Sequence, residues 1–191
     1  MANLLHEEII SKGINLILKD GVKAFKEEKE QLNILLKSGK RVQSDMVILS
    51  IGVKPNSLLA KDAGLELNQR GGIVVDEHMK TSKEDIYALG DVIEVTNFIT
   101  KDKTMIPLAG PANKQARILA DYLTGEDKEY SGSMGTSIAQ IFGLNAAATG
   151  LNEKQLKLKG KEKNKDYHTI IINQKSHAGY YPNAKPLFLK I

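Results

Sequence analysis

Apolar positions along the chain fall into short runs cut by glycines and polar turns, and the period of each run names its element. From Leu4 to Lys12, Leu5 and Ile9 share one face of a short helix that Gly13 stops. Ile14–Leu18 follows as a strand and Val22–Phe25 begins another. The runs Leu32–Leu36 and Arg41–Ser44 flank Lys37-Ser38-Gly39-Lys40, the pattern of a β-hairpin. Asp45–Ile51 is almost continuously apolar, which predicts a strand buried on both faces, as in a parallel sheet. Asn56 or Ser57 caps a short helix through Ala63 that Gly64 ends, and Gly71-Gly72 turns into a strand at Ile73–Val75.

The clearest helix runs from Pro111 to Leu123. Ala112, Ala116, Leu119, Ala120 and Leu123 form one apolar face, with proline at the first helical position and Gly125 past the end. Beyond Tyr130 the texture changes. Ser131–Gly135 reads as a linker. Strands are expected at Ser137–Phe142 and Asn145–Thr149, with Ile138 and Phe142 in the core. A helix capped by Asn152 runs to Leu158, and strands follow at Tyr167–Ile172 and Leu187–Ile191. No internal repeat is visible.

Composition narrows the chemistry. The 191 residues are 41% hydrophobic and 26% charged, enough to bury a core, and no apolar run approaches the roughly 20 residues of a membrane helix. Without a secretory pattern at its start, the chain is expected to be cytoplasmic and not membrane-bound. Cysteine is absent, which excludes disulfides, thiolate nucleophiles and cysteine-ligated metals. The four histidines lack ligand spacing, so no metal site is expected. The net charge of +4 draws on a run of six lysines between Lys154 and Lys165. Acids interrupt that run and no aromatic lies inside it, so it reads as a solvated helix face and loop rather than a nucleic-acid patch.

Four segments carry chemistry. Thr81-Ser82-Lys83-Glu84-Asp85-Ile86-Tyr87-Ala88-Leu89-Gly90-Asp91 takes a polar turn into a short apolar strand that stops at Gly-Asp. Gly90 has no Cβ to block a ligand, and Asp91 stands at the carboxyl end of a strand, where open α/β sheets bind ligands and a carboxylate can accept from sugar-type hydroxyls. Val47–Asn56 is a strand followed by a turn at Gly52. Pro107–Ala116 places a helix N-terminus after the small residues Ala109 and Gly110, where free N–H groups favour negative charge. The last is His177-Ala178-Gly179-Tyr180-Tyr181-Pro182, which on its own is a packed turn burying two rings.

Taken in order, these segments resemble the pyridine nucleotide-disulfide oxidoreductases, and the resemblance covers essentially the whole chain. Thr81–Asp91 looks like the second FAD-binding motif, Val47–Asn56 like the exit from the NAD domain, and Pro107–Ala116 like the helix facing the flavin. The stretch around Tyr180 resembles the interface domain of coenzyme A-disulfide reductases and related NADH oxidases and peroxidases. The implied fold is α/β: a partial FAD/NAD(P)-binding three-layer domain plus the start of an α+β interface (dimerisation) domain. Residues 1–52 would end the NAD(P)-binding part, 53–130 would be the returning FAD-binding part, and 131–191 would open the interface domain.

The resemblance also implies cofactors and roles. FAD and NAD(P)H are the expected cofactors, with Asp91 on the ribityl hydroxyls, Gly90, Ala109 and Gly110 allowing close flavin approach, and Gly52 near the nicotinamide. Tyr180 or Tyr181 would serve a CoA disulfide site. The electrons would pass to a disulfide, or to oxygen or peroxide, in a homodimer. The missing Gly-x-Gly-x-x-Gly fingerprints and the missing thiol lead to the expectation of an internal piece of a longer enzyme, inactive alone. The alternative is a non-catalytic cofactor-binding or assembly module.

Overall fold

A computed structural model describes residues 2–28 and 31–191. Helix α1, Ala2–Ser11, opens the chain. Strands β1 (Val22–Glu28), β2 (Gln31–Leu36) and β3 (Arg41–Ser44) form an antiparallel three-stranded sheet, with Ile34 set opposite both Phe25 and Val42. Ile34 and Leu36 are buried two residues apart, the period that puts alternate strand residues on one face.

The main core lies between residues 60 and 130. It gathers Ala60 of α2 (Leu58–Asp62), Ile73, Val75, Met79, Ile93, Val95 of β4 (Val95–Thr96), Ile118 of α3 (Ala109–Leu123) and Tyr130. Much of this core is carried by isolated bridges rather than long strands. Ile73 bridges Leu67 and Ile93, and Tyr87 bridges Lys80. The strands expected at Ile73–Val75 and Ile86–Leu89 are thus reduced to single pairings, although Ile73 and Val75 are buried as a core strand would be. Strand β5 (Lys103–Thr104) pairs with β4.

Two expected strands do not form. Among the described residues Ile14–Leu18 has no strand partner, and Asp45–Ile51 lies outside any strand, with Ile48 80% and Ile51 88% exposed. A strand can be buried on both faces only if other layers cover it, and no described element does so here. In α2, Ser57 occupies the cap position but makes no side-chain cap bond. Helix α3 begins two residues before the expected start, so Pro111 sits inside the first turn, where its missing N–H still costs no hydrogen bond. Its buried residues are Gln115 and Ile118, with Ala112, Leu119 and Tyr122 half-buried, whereas Ala116, Ala120 and Leu123 are exposed. The buried face is therefore rotated from the all-apolar stripe.

The remaining chain forms two hairpins, β6 (Ser137–Ile141) with β7 (Leu144–Ala148) and β8 (Ile171–Lys175) with β9 (Pro186–Lys190), around α4 (Glu153–Leu158). β8 starts four residues later than expected. Asn152 caps α4 in a full capping box: its Oδ1 accepts from Gln155 N at 3.0 Å and Gln155 Oε1 accepts from Asn152 N at 3.0 Å. Ile138, expected in the core, is 74% exposed, and Phe142 sits exposed in the hairpin turn, because α1 meets this two-stranded sheet without covering either side chain. The lysine-rich stretch is a solvated helix and loop, as its interspersed acids implied.

Ser131–Gly135 is not a free linker. Ser133 N donates to Thr96 O at 3.0 Å and Phe98 N donates to Ser133 O at 2.9 Å, docking the segment beside β4. An ion pair reinforces the junction. Asp102 accepts from Lys159, and this bond holds its carboxyl below the usual range. Glu153, which accepts from Lys190, is held low in the same way. A carboxylate whose pKa is lower folded than unfolded adds stability above its unfolded value, about pH 3.9 for Asp, and loses it as the pH falls through the lowered one. Asp102→Asn is thus expected to melt slightly below the wild type, by about 1 °C, at pH 5–7, since exposed pairs contribute little. The two melts should converge as the pH falls through the lowered pKa of Asp102. Melting curves across this range that never converge would show that the pair is not responsible.

Candidate functional site

The Thr81–Asp91 segment is built by local hydrogen bonds. Thr81 is buried; its N–H and its hydroxyl both donate to Ile86 O at 2.9 Å, which closes the Ser82–Asp85 loop. Ala88 N donates to Met79 O at 3.0 Å and ties the apolar stretch to the core. At Gly90 the backbone turns with φ of 87°, a conformation that other residues adopt only with strain. Its N–H donates to Gln115 Oε1 at 2.8 Å, and Ile93 N closes the turn onto Gly90 O. An added Cβ at Gly90 would stand 4.0 Å from Ala112, its nearest neighbour. Glycine is therefore required here first by the backbone turn, with open space as a second consequence.

This turn delivers Asp91, exposed, to the wall of a cleft of about 1240 Å³. Gly52 and the residues that follow it through Asn56 form another wall, and Arg70, Met105 and Pro107 complete the rim. The structure thus brings Gly52 and Asp91, 39 positions apart in sequence, to one cavity, with Gly90 directly behind. Ala109 and Gly110 follow Pro107 at the exposed start of α3, and nothing lies within 4 Å of a Cβ built at Gly110 or at Gly52. The small residues leave room, at the start of a helix whose first N–H groups have no intrahelical acceptor. A flat, multi-ring cofactor bearing a polyhydroxyl chain fits this set: a carboxylate acceptor, bare backbone at two glycines, and space between them.

Tyr180 and Tyr181 do not join the cleft. They sit on the turn between β8 and β9, 84% and 60% exposed, with ring centroids 4.9 Å apart. The turn is held by His177, whose Nε2 lies 3.2 Å from Pro182 O, and the rings bury little area of their own. Among the described residues no cluster of three His, Asp or Glu could hold a metal ion, and no helix is long and apolar enough to cross a membrane.

Three residues of this region were not singled out from sequence. Gln115 is 1% exposed and is the acceptor that fixes Gly90. Its one sequence signal is a polar residue at helical spacing from Ala112, Ile118 and Leu119. Lys54 and Arg70 place two cations on the cleft wall, and nothing in their local sequence marks them.

Comparison with known proteins gives a consistent picture. Residues 1–116 match the family described as "Pyridine nucleotide-disulphide oxidoreductase". The NAD(P)H sulfur oxidoreductase (CoA-dependent) of Pyrococcus furiosus is 33% identical over 96% of this chain and 40% of its own length. The NADH oxidase of Enterococcus faecalis is 33% identical over 99% of this chain and 42% of its own. The crystal structure of reduced Bacillus anthracis CoADR-RHD superposes with a TM-score of 0.92 at 49% identity, covering all of this chain and 33% of that one. The chain spans about two fifths of the length of the curated relatives it matches.

Proposed function

Because the chain belongs to the pyridine nucleotide-disulphide oxidoreductase family, whose members use FAD and NAD(P)H, we propose that its cleft serves an oxidoreductase carrying electrons from NAD(P)H through FAD to a disulfide. CoA disulfide is the substrate the reading favours. The CoA dependence in the name of the sulfur oxidoreductase supports a CoA-linked sulfur substrate, while the NADH oxidase among the relatives keeps oxygen or peroxide as the second reading. One observation carries the proposal: Gly52 and Asp91 share one cleft, and the open N-terminus of α3 begins at its rim.

FAD, when bound, supplies the redox chemistry by taking up and passing on electron pairs. The chain's own residues bind and orient. The Asp91 carboxylate accepts hydrogen bonds from the ribityl hydroxyls, a stronger interaction than a neutral acceptor offers. Gly90 and Gly52 keep side chains out of the space beside it, Gly52 on the nicotinamide side. Ala109 and Gly110 admit the ring system to the α3 terminus, whose partial positive charge favours electron density on the ring's pyrimidine side. In this reading residues 1–52 belong to the NAD(P)-binding part, 53–130 to the FAD-binding part and 131–191 to an interface domain. The exposed Ile138, Ile171 and Tyr180 support a homodimer through that last part, with Tyr180 or Tyr181 offered to the partner's substrate. A cytoplasmic setting, where NAD(P)H is supplied, completes the reading.

Riboflavin titration of the purified chain, followed by flavin fluorescence, tests the cleft. Wild type is expected to bind and quench, and Asp91→Ala to bind about tenfold more weakly, the effect of losing a charged acceptor worth about 1.4 kcal/mol. With no cysteine to exchange with a disulfide, the chain should consume NADH only at background. Equal binding by wild type and Asp91→Ala would remove the aspartate from the flavin site.

A further inference from the structure

The sequence holds a single Asp-Gly dipeptide, Asp20-Gly21, and no Asn-Gly. It stands at the entry to β1, an edge strand of the three-stranded sheet, away from the residues that line the cleft. An aspartate followed by glycine is chemically weak. The glycine N–H can reach the preceding side-chain carboxyl because no Cβ hinders the approach. Here Gly21 is exposed and Asp20 half-buried, so water reaches both. Among the described residues Gly21 N donates to nothing, whereas Gly21 O accepts from Lys37 N at 2.8 Å.

The carboxylate is the group that is held. Asp20 Oδ1 accepts from Ser38 N at 3.0 Å, and Oδ2 accepts from the Ser38 hydroxyl at 2.6 Å. Ser38 lies 18 positions away, in the turn between β2 and β3. The Ser38 hydroxyl, followed by its N–H, keeps the Asp20 carboxyl below the usual carboxylate range. An ionised carboxylate is a poor electrophile. With both oxygens tied to one residue, it does not turn freely onto Gly21 N either.

We propose that Asp20-Gly21 is a site of spontaneous aspartyl isomerisation and that Ser38 is the latch restraining it. When local opening frees the carboxyl in its protonated form, Gly21 N attacks Asp20 Cγ. The N–Cγ bond forms, the Cγ–O bond breaks, and the hydroxyl leaves with the amide proton as water. The product is a five-membered succinimide. Water then adds back, and opening at the main-chain carbonyl leaves an isoaspartyl linkage. Mass is unchanged overall, and no oxidant or reductant takes part. The main chain gains a methylene at the entry to β1, beside the bond from Lys37 N to Gly21 O. The freed α-carboxylate is the group that an isoaspartyl carboxyl-methyltransferase esterifies. This inference does not depend on the flavin reading.

The purified chain is aged at neutral pH and physiological temperature. Isoaspartate is counted by enzymatic methylation and located by fragmentation mass spectrometry. Native wild type should accumulate it slowly and at position 20, and wild type unfolded in urea should do so faster. Ser38→Ala, which removes the hydroxyl bond and leaves the N–H, should accelerate the native rate about fivefold. Ser44→Ala, a serine of β3 in the same sheet, should leave the rate unchanged. Asp20→Glu should abolish the signal at position 20, and Gly21→Ala should suppress it. The added Cβ at Gly21 would meet only the movable end of Lys37, 3.3 Å from its Cε, so this variant keeps the fold. Equal rates for native and unfolded wild type, or for wild type and Ser38→Ala, would overturn the latch. Equal acceleration by Ser44→Ala would reduce Ser38 to a general support of the sheet and overturn it as well. Isoaspartate that never maps to position 20 in any variant would overturn the site itself.

Discussion

Gly132→Val is expected to unfold the chain near room temperature or leave it insoluble, and Gly132→Ala to lower its melting temperature by about 10 °C or more. Gly132 sits at φ of 97°, a region that costs an L-residue roughly 1–2 kcal/mol. A Cβ built there would fall 2.2 Å from Thr96 O and 3.1 Å from Thr96 C, and both are backbone atoms. Neither can swing aside as a side-chain tip would. Thr96 is fixed in β4 by its pairing with Lys103, and its carbonyl accepts from Ser133 N. Relief requires parting the 131–133 segment from β4, which sacrifices that bond and the one from Phe98 N to Ser133 O. Strain, clash and lost bonds together come to about 3–5 kcal/mol, a large share of the 5–15 kcal/mol that typically holds a domain. Far-UV circular dichroism melts decide the matter. A Gly132→Ala protein melting within about 2 °C of wild type would mean that the junction bends easily and the close approach is not structural.

The sequence carried the local chemistry well and the layering poorly, and particular residues show why. The Asn152 cap, the Ser38-Gly39 hairpin and the end of α2 at Gly64 formed as read, because each depends on bonds made within a few residues. Gly90 and Asp91 also lie in a turn at a cleft, since turn chemistry is local. The apolar run Asp45–Ile51 signals that something should cover it, but its own residues cannot say whether that cover belongs to this chain. It stands exposed here. The face of α3 was misread for a related reason. Hydrophobicity alone selected Ala116 and Ala120, whereas the buried position belongs to Gln115, a polar side chain that earns burial only through a partner 25 residues away. Ile138 and Phe142 read as core for their side chains, yet a two-stranded hairpin has two faces and little to bury them against.

That same Gln115 gives the second large expected effect, because it joins the helix at the cleft's rim to the turn that carries Asp91. Its Oε1, on a side chain only 1% exposed, is the partner of the half-buried Gly90 N at 2.8 Å. Gln115→Leu keeps the volume nearly constant but leaves that N–H without an acceptor, a cost of about 1–3 kcal/mol for a buried donor. Gln115→Ala adds a cavity, and the loss should rise to about 2–4 kcal/mol. The effect should be concentrated at Gly90 rather than spread through the core. Hydrogen exchange at the Gly90 amide is expected to accelerate about 10–30-fold in Gln115→Leu, with riboflavin affinity falling alongside as Asp91 loses its fixed position. Ile118→Ala is the control, since it strikes the same buried helix face without touching the hydrogen bond. It should lower the melting temperature comparably yet leave Gly90 exchange no faster than its global loss of stability accounts for. If the two variants accelerate the Gly90 amide equally at matched stability, Gln115 is only a packing residue and the turn at Asp91 is fixed by other bonds.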